Sequence, residues 1–185
     1  MSNKPWKTIT EKPQAESREK QFNDLLALRQ EILDRSISDV PSTKHRMEHV
    51  AEIDGVTYIN DSHATNVDLT WYSLEGITGQ VVWIVGSMDT TNDYSMLKEL
   101  VDEKVNTIIC LGRENRKVFK AFMGSVDMIV AASTAEEAVR AAKTVAKDTD
   151  TVLLSPACAS YDLFDSYKDR GDKFIKAVKA IQKKK

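Results

Sequence analysis

Apolar residues follow two different rhythms along this chain. From residue 44 onward, short runs of nearly continuous apolar residues alternate with longer stretches in which apolar positions recur every three or four residues. The short runs cover residues 81–85, 107–111, 128–131 and 151–154. Each is apolar on both sides of the strand period, as strands covered on both faces of a parallel sheet must be. The longer stretches predict helices over 67–75, 94–103, 116–122, 134–146 and 166–181. Ser133, three residues before Glu136, predicts a capping box at the start of the fourth helix. Ahead of these, residues 49–53 and 56–59 flank Asp54-Gly55, a dipeptide that readily supplies the positive φ angles of a two-residue hairpin turn. The fold class predicted is α/β: a doubly wound, mostly parallel, Rossmann-like sheet with an N-terminal β-hairpin and helices on both faces. Ligands of such sheets bind beyond the C-terminal ends of the strands.

The N-terminal region reads differently. Residues 1–15 are polar and broken by Pro5 and Pro13, which predicts a flexible arm. Residues 16–44 hold an amphipathic helical segment and a linker, with Phe22, Leu25, Leu26, Ile32 and Leu33 at helical spacing and Pro41 ending the pattern. The apolar face over 16–35 has two readings: it folds back on the domain of residues 45–185, or it meets a protein partner.

Composition narrows the partners. The chain has 185 residues and a formal charge of -2 with both signs interspersed, so it offers no surface for a nucleic-acid backbone or an anionic membrane. A small anionic ligand or another protein fits better. No apolar run reaches membrane-spanning length and the N-terminus is polar, which points to the cytoplasm. Cys110 and Cys158 stand far apart in apolar stretches, with no paired Cys or His spacing for a metal, and read as reduced thiols in or near the core. Cys158 has no neighbouring His base and is read as packing rather than as a nucleophile.

Three polar segments follow strands. The first, residues 60–66, reads Asn-Asp-Ser-His-Ala-Thr-Asn. Asp61, Ser62, Thr65 and Asn66 are good helix caps, and the same residues at a helix start suit a carboxylate or phosphate; both readings stand. The second, residues 85–94, is a polar turn in which Thr91 or Asn92 suits the cap of the next helix. The third, residues 153–164, reads Leu-Leu-Ser-Pro-Ala-Cys-Ala-Ser-Tyr-Asp-Leu-Phe, whose small residues admit a ligand close to the backbone, with Ser160 and neighbouring amides as carboxylate donors.

Taken in order, His45-Arg46, the residues 60–66, the Gly86 turn and Ser-Pro-Ala-Cys-Ala-Ser-Tyr-Asp-Leu-Phe with its following Asp-Arg-Gly resemble the C-terminal domain of the Mur ligases, specifically the type that adds D-glutamate to UDP-N-acetylmuramoyl-L-alanine. The resemblance runs from residue 45 to 181, and residues 28–39 are similar to the helical tail of that family's central domain. It implies a cleft between nucleotide and D-glutamate. Arg46 and Asp61 would face the nucleotide, while Thr65, Ser160, the backbone of Tyr161 and the aromatic Tyr167 would hold the amino acid. The family uses ATP and magnesium.

Two positions depart from the family pattern: His63 and Thr90 stand where the family has lysines. Neither restores the charge at neutral pH. No Gly-rich phosphate loop ending in Gly-Lys-Thr or Gly-Lys-Ser occurs in the chain. The expectation is therefore a domain with no catalytic residues and no cofactor of its own, unable to form the amide bond alone. It would act as a binding or interaction module, or supply the D-glutamate-binding part of a split or truncated ligase.

Overall fold

A computed structural model describes residues 43–86 and 92–183. The arm of residues 1–15 and the helical segment up to residue 42 lie outside the described residues, as does Thr90.

Six strands form one sheet: β1 (Glu48–Ile53), β2 (Val56–Asn60), β3 (Val81–Gly86), β4 (Val105–Leu111), β5 (Met128–Ala132) and β6 (Thr151–Leu154). Their order is β1-β2-β6-β3-β4-β5, with β1 antiparallel to β2 and the remaining pairs parallel. Asp54 and Gly55 take φ of 53° and 78°, the hairpin turn that their sequence predicts. A Cβ at Gly55 would also overlap the Asp148 carboxylate.

The helices are α1 (Val67–Glu75), α2 (Lys98–Lys104), α3 (Arg116–Phe122), α4 (Ala135–Val145) and α5 (Tyr167–Gln182). The stretch expected as one helix from residue 94 begins instead as a 3-10 turn, Ser95–Leu97, before α2. The N-cap of this turn is Tyr94, which makes no side-chain cap bond. Thr91 is not among the described residues, and Asn92 Nδ2 donates to Ala157 O at 2.7 Å, so a loop 65 residues away captures the group that would have capped. The capping box of α4 is displaced by one residue: Thr134 is the N-cap, accepting from Glu137 N at 3.1 Å, and the Glu137 carboxylate accepts from Ser133 N at 2.8 Å.

Strand alternation sorts the core into two layers. Val82, Ile84, Ile109, Val152 and Leu154 face α4 and α5, meeting Val139, Ala142, Phe174 and Val178. Val81, Trp83, Val85, Ile108, Cys110 and Leu153 face the other way, toward Leu74 of α1, Val101 of α2 and Phe122 of α3. Both faces are thus covered by helices, which is why these strands carry few polar residues. Lys104, at the end of α2, donates to the carbonyls of Leu74, Glu75 and Ile77 at 3.3, 2.7 and 3.0 Å. It adds a charged donor to the carbonyls at and just after the C-terminus of α1, among which Leu74 O also accepts from Ile77 N.

Candidate functional site

The strands β2 and β6 are neighbours, and their last residues, Asn60 and Leu154, are in register. The first and third of the segments singled out in the sequence therefore leave the sheet side by side. Asp61 N donates back to Leu154 O at 2.8 Å, which keeps the two exits together.

Asp61 does not cap a helix. Its side chain is 3% exposed and turns inward. One carboxylate oxygen accepts from Ser73 Oγ of α1 and from Ser155 Oγ at 3.2 Å, and the other accepts from Met47 N at 3.2 Å. Ser155 also bonds Thr70 Oγ1 at 3.0 Å, while its carbonyl accepts from Trp83 Nε1 at 2.7 Å. Desolvation pushes the Asp61 carboxyl up to about 6, against the lowering effect of its three donors and of the Arg46 charge. Thr70 and Ser73 lie three apart on α1, so both meet this network from one helix face. Of the four cap candidates in this segment, only Asn66 makes the α1 N-cap bond, accepting from Leu69 N at 2.9 Å. Asp61 fails as a cap because its charge is spent on partners from α1, β6 and the segment before β1.

A second buried group backs the first. Asn60 Nδ2 contacts His45 Nδ1 at 3.1 Å and donates to Glu48 Oε2 at 3.0 Å, and Glu48 Oε2 also accepts from His45 N at 2.8 Å. His45 is buried, and the loss of hydration lowers its pKa in spite of Asp172 nearby. Gly171 of α5 packs directly on this cluster: a Cβ there would overlap both His45 Nδ1 and Ser62 Oγ. Glycine inside a helix ordinarily costs up to about 1 kcal/mol relative to alanine. At this position the order is expected to reverse. Gly171→Ala should destabilise the domain by about 1–3 kcal/mol through overpacking against buried side chains, measurable by urea unfolding. A stabilised variant would show that the contact is loose.

The residues named from sequence lie at different depths around this interior. Thr65 is exposed at the entrance to α1. His63 is half-buried, its backbone N–H donating to His45 O at 3.0 Å and its ring standing edge-on to Tyr167 with centroids 5.0 Å apart. Burial and the Arg46 charge both lower the His63 pKa, so the imidazole is neutral at pH 7. Tyr167 is the first residue of α5, fixed there by the Ser166 cap, whose Oγ accepts from Asp169 N at 3.1 Å. Ser160 is buried and its carbonyl accepts from Phe164 N at 3.0 Å, whereas the Tyr161 side chain is 74% exposed. Arg46 is exposed. His63, Tyr167, Arg46 and Asp61 are thus brought together.

Both cysteines are buried thiols; the Cys110 thiol is pushed up to about 12 by burial in β4, which suits neither nucleophilic nor metal chemistry. Among the described residues no group of three or more His, Cys, Asp or Glu could hold a metal ion, and no helix is long and apolar enough to cross a membrane. Residue-by-residue reading assigned nothing to Ser73, Ser155, Thr70, Trp83 or Arg170. The regular spacing of Thr70 and Ser73 on one helix face was the available signal.

This geometry has counterparts. Residues 45–158 match the family model described as Mur ligase, glutamate ligase domain. The chain belongs to the Mur ligase family. It is 46% identical over 159 residues to a UDP-N-acetylmuramoylalanine--D-glutamate ligase of Christiangramia forsetii, a match covering 86% of this chain and 36% of that protein. The ligase of the same name from Cytophaga hutchinsonii is 50% identical over 143 residues, 77% of this chain and 32% of its own. This chain therefore spans about a third of the length of these Mur ligase relatives. Among solved structures, a bifunctional folylpolyglutamate synthase/dihydrofolate synthase from Yersinia pestis superposes with a TM-score of 0.52 at 18% identity, over 77% of this chain and 32% of that one, and shares the fold.

Proposed function

We propose that this Mur ligase domain is a binding module for a small carboxylate-bearing ligand, D-glutamate first among them, and that it does not form an amide bond from ATP by itself. The observation that carries the reading is the combination of a hydrogen-bonded interior with a neutral imidazole at His63. Asp61, Ser73 and Ser155 brace the exit of β2 against α1 and β6. Above them Thr65 offers an exposed hydroxyl and Tyr167 an aromatic wall, Ser160 is buried, and His63 brings no positive charge at pH 7. In this reading Thr65, Ser160 and the Tyr161 backbone receive the carboxylate, Tyr167 closes one side, Arg46 faces a nucleotide when one is present, and Asp61, buried with both oxygens occupied, would reach a nucleotide only if its network opened.

The family relation implies ATP and magnesium, and these residues do not fit that role alone. Phosphoryl transfer depends on a loop of backbone amides with a lysine to position and neutralise the phosphates. No Gly-Lys pair occurs anywhere in the 185 residues. The purified chain is accordingly expected to give no UDP-N-acetylmuramoyl-L-alanyl-D-glutamate from ATP, D-glutamate and the muramoyl precursor. Binding of D-glutamate, with L-glutamate as the control, should be detectable by calorimetry. ATP-dependent product above a no-protein control would overturn the first half of the proposal, and absence of any heat with D-glutamate the second.

A second reading is favoured by the 46–50% identity to relatives named UDP-N-acetylmuramoylalanine--D-glutamate ligase: the chain supplies the D-glutamate-binding part of a split or truncated ligase. It predicts that product appears when the phosphate-loop and UDP-binding domains of such a relative are added in trans. Both readings describe a cytoplasmic role in supplying cell-wall precursors. The alternative of a protein partner rests on residues 16–35, and a pull-down with and without that segment would test it.

A further inference from the structure

Arg170 is the second residue of the Asp-Arg-Gly run in α5, and it is 2% exposed. Buried guanidinium groups are costly unless their donors are satisfied. Three of its five N–H donors are spent on backbone carbonyls of the two segments that leave the sheet, and Nε is buried without a partner. Nη2 donates to Ser62 O at 3.0 Å and to Cys158 O at 3.1 Å, and Nη1 donates to Ala159 O at 3.1 Å. The Ser62 carbonyl belongs to the segment after β2, and the other two belong to the segment after β6. The neighbouring acid is Asp162, whose charge favours the cation. Gly171, the next residue, lets α5 approach close enough for the guanidinium to reach between the segments.

We infer that Arg170 is a positioning residue that locks the segment after β2 to the segment after β6, so that Thr65 with His63 and Ser160 with Tyr161 form a single rim. The inference rests on the ligand-binding reading above only for its functional consequence; the locking itself is a separate, measurable property. Without the guanidinium, three carbonyls lose their donor together. The segment carrying Pro156, Ala157 and Cys158 is then held to the rest by Gly86 N to Pro156 O at 2.8 Å and by the Asn92 side chain on Ala157 O. Ala157 itself sits at φ 56°, an unfavourable angle for a residue with a Cβ, so the segment has a tendency to relax once released.

The chain contains its own reporter. Cys158 lies in the locked segment at 2% exposure and Cys110 lies in central strand β4 at 0%. Opening of the rim exposes the first and leaves the second protected, whereas global unfolding exposes both. The experiment measures the reaction of each thiol with an aromatic disulfide in the full chain, comparing wild type with Arg170→Gln and Arg170→Lys. Cys110→Ser and Cys158→Ser backgrounds separate the two signals. Arg170→Gln is expected to speed Cys158 modification on the order of tenfold with Cys110 unchanged, and Arg170→Lys to recover part of the protection through the carbonyls an ammonium can reach. Equal acceleration at both thiols, or none at Cys158, would overturn the inference. If Arg170→Gln does not fold, the Lys variant alone decides by the same comparison. D-glutamate calorimetry on the same variants gives the functional arm: rim opening should weaken binding wherever the wild type binds. A wild type that does not bind removes the ligand reading and leaves the thiol result to judge the lock.

Discussion

Replacing His63 and Thr90 together by lysine is expected to tighten D-glutamate binding by roughly two to four decades, the equivalent of two charge-assisted contacts of about 1.5–3 kcal/mol each if they add. His63 stands at the rim between Arg46 and Tyr167, and its ring is kept neutral at pH 7 by burial and by the Arg46 charge. A neutral imidazole leaves a carboxylate with hydroxyl and amide donors and the Arg46 guanidinium as the cation nearby. Lysine at that position places a cation, pKa about 10.4 when unperturbed, on a stem long enough to leave the ring stacking site. Two lysines on one ligand share it, so the measured gain should fall short of the sum. Calorimetric titration of the single and double variants, with L-glutamate as control and an unfolding curve to confirm the fold, gives the answer. No gain in the folded double variant would mean that the rim has diverged beyond these two positions, and would favour a protein-interaction role over ligand binding.

The second large effect is a dependence of stability on pH that runs opposite to the usual carboxylate case. Asp61 moves from an ordinary 3.8 to about 6 on folding. Between those values the folded state holds more protons than the unfolded state, so the contribution is fully present below about 4 and is lost as pH rises through 6. A shift of that size is worth about 3 kcal/mol. His45 and His63 act in the opposite sense, because their lowered pKa values make the folded state resist protonation as pH falls. Comparison of wild type with Asp61→Asn separates the two. The variant keeps the shape and one acceptor oxygen, and is expected to lose the decline in stability between pH 4.5 and pH 7.5 that the wild type owes to this carboxylate. Urea unfolding across that range measures it, and parallel curves for the two proteins would show that Asp61 is not the titrating group. Near neutrality the ionised carboxylate is thus a burden on folding that the network of Ser73, Ser155 and the Met47 amide only partly offsets.

Much of the fold was legible because the interactions that specify it are short in sequence. Asp54-Gly55 makes its turn from the φ preferences of two adjacent residues. The apolar runs at Val81–Gly86 and Thr151–Leu154 announce strands covered on both faces whatever their neighbours turn out to be. Small displacements, such as the α4 cap moving from Ser133 to Thr134, arise where two adjacent residues have nearly equal local preference and the helix register decides between them. Asn92 shows the limit of that approach: a good local cap was drawn away by a carbonyl 65 residues distant.

Sequence by itself determined the α/β class, the hairpin, and the position of each strand and helix among the described residues to within a few residues. These follow from hydrophobic periodicity and turn chemistry, which act over a few residues. Only the tertiary structure decided what the polar residues do. Asp61 has the composition of a cap, and becomes a buried acid because Ser73, 12 residues away, and Ser155, 94 residues away, converge on it. Arg170 reads as one more charge on an amphipathic helix, and becomes a tie between two segments because the Ser62 carbonyl, 108 residues away, lies in the segment after β2, beside the one after β6. A residue's partners across the sheet are set by strand order, and the insertion of β6 between β2 and β3 is a property of the whole chain that no local window contains.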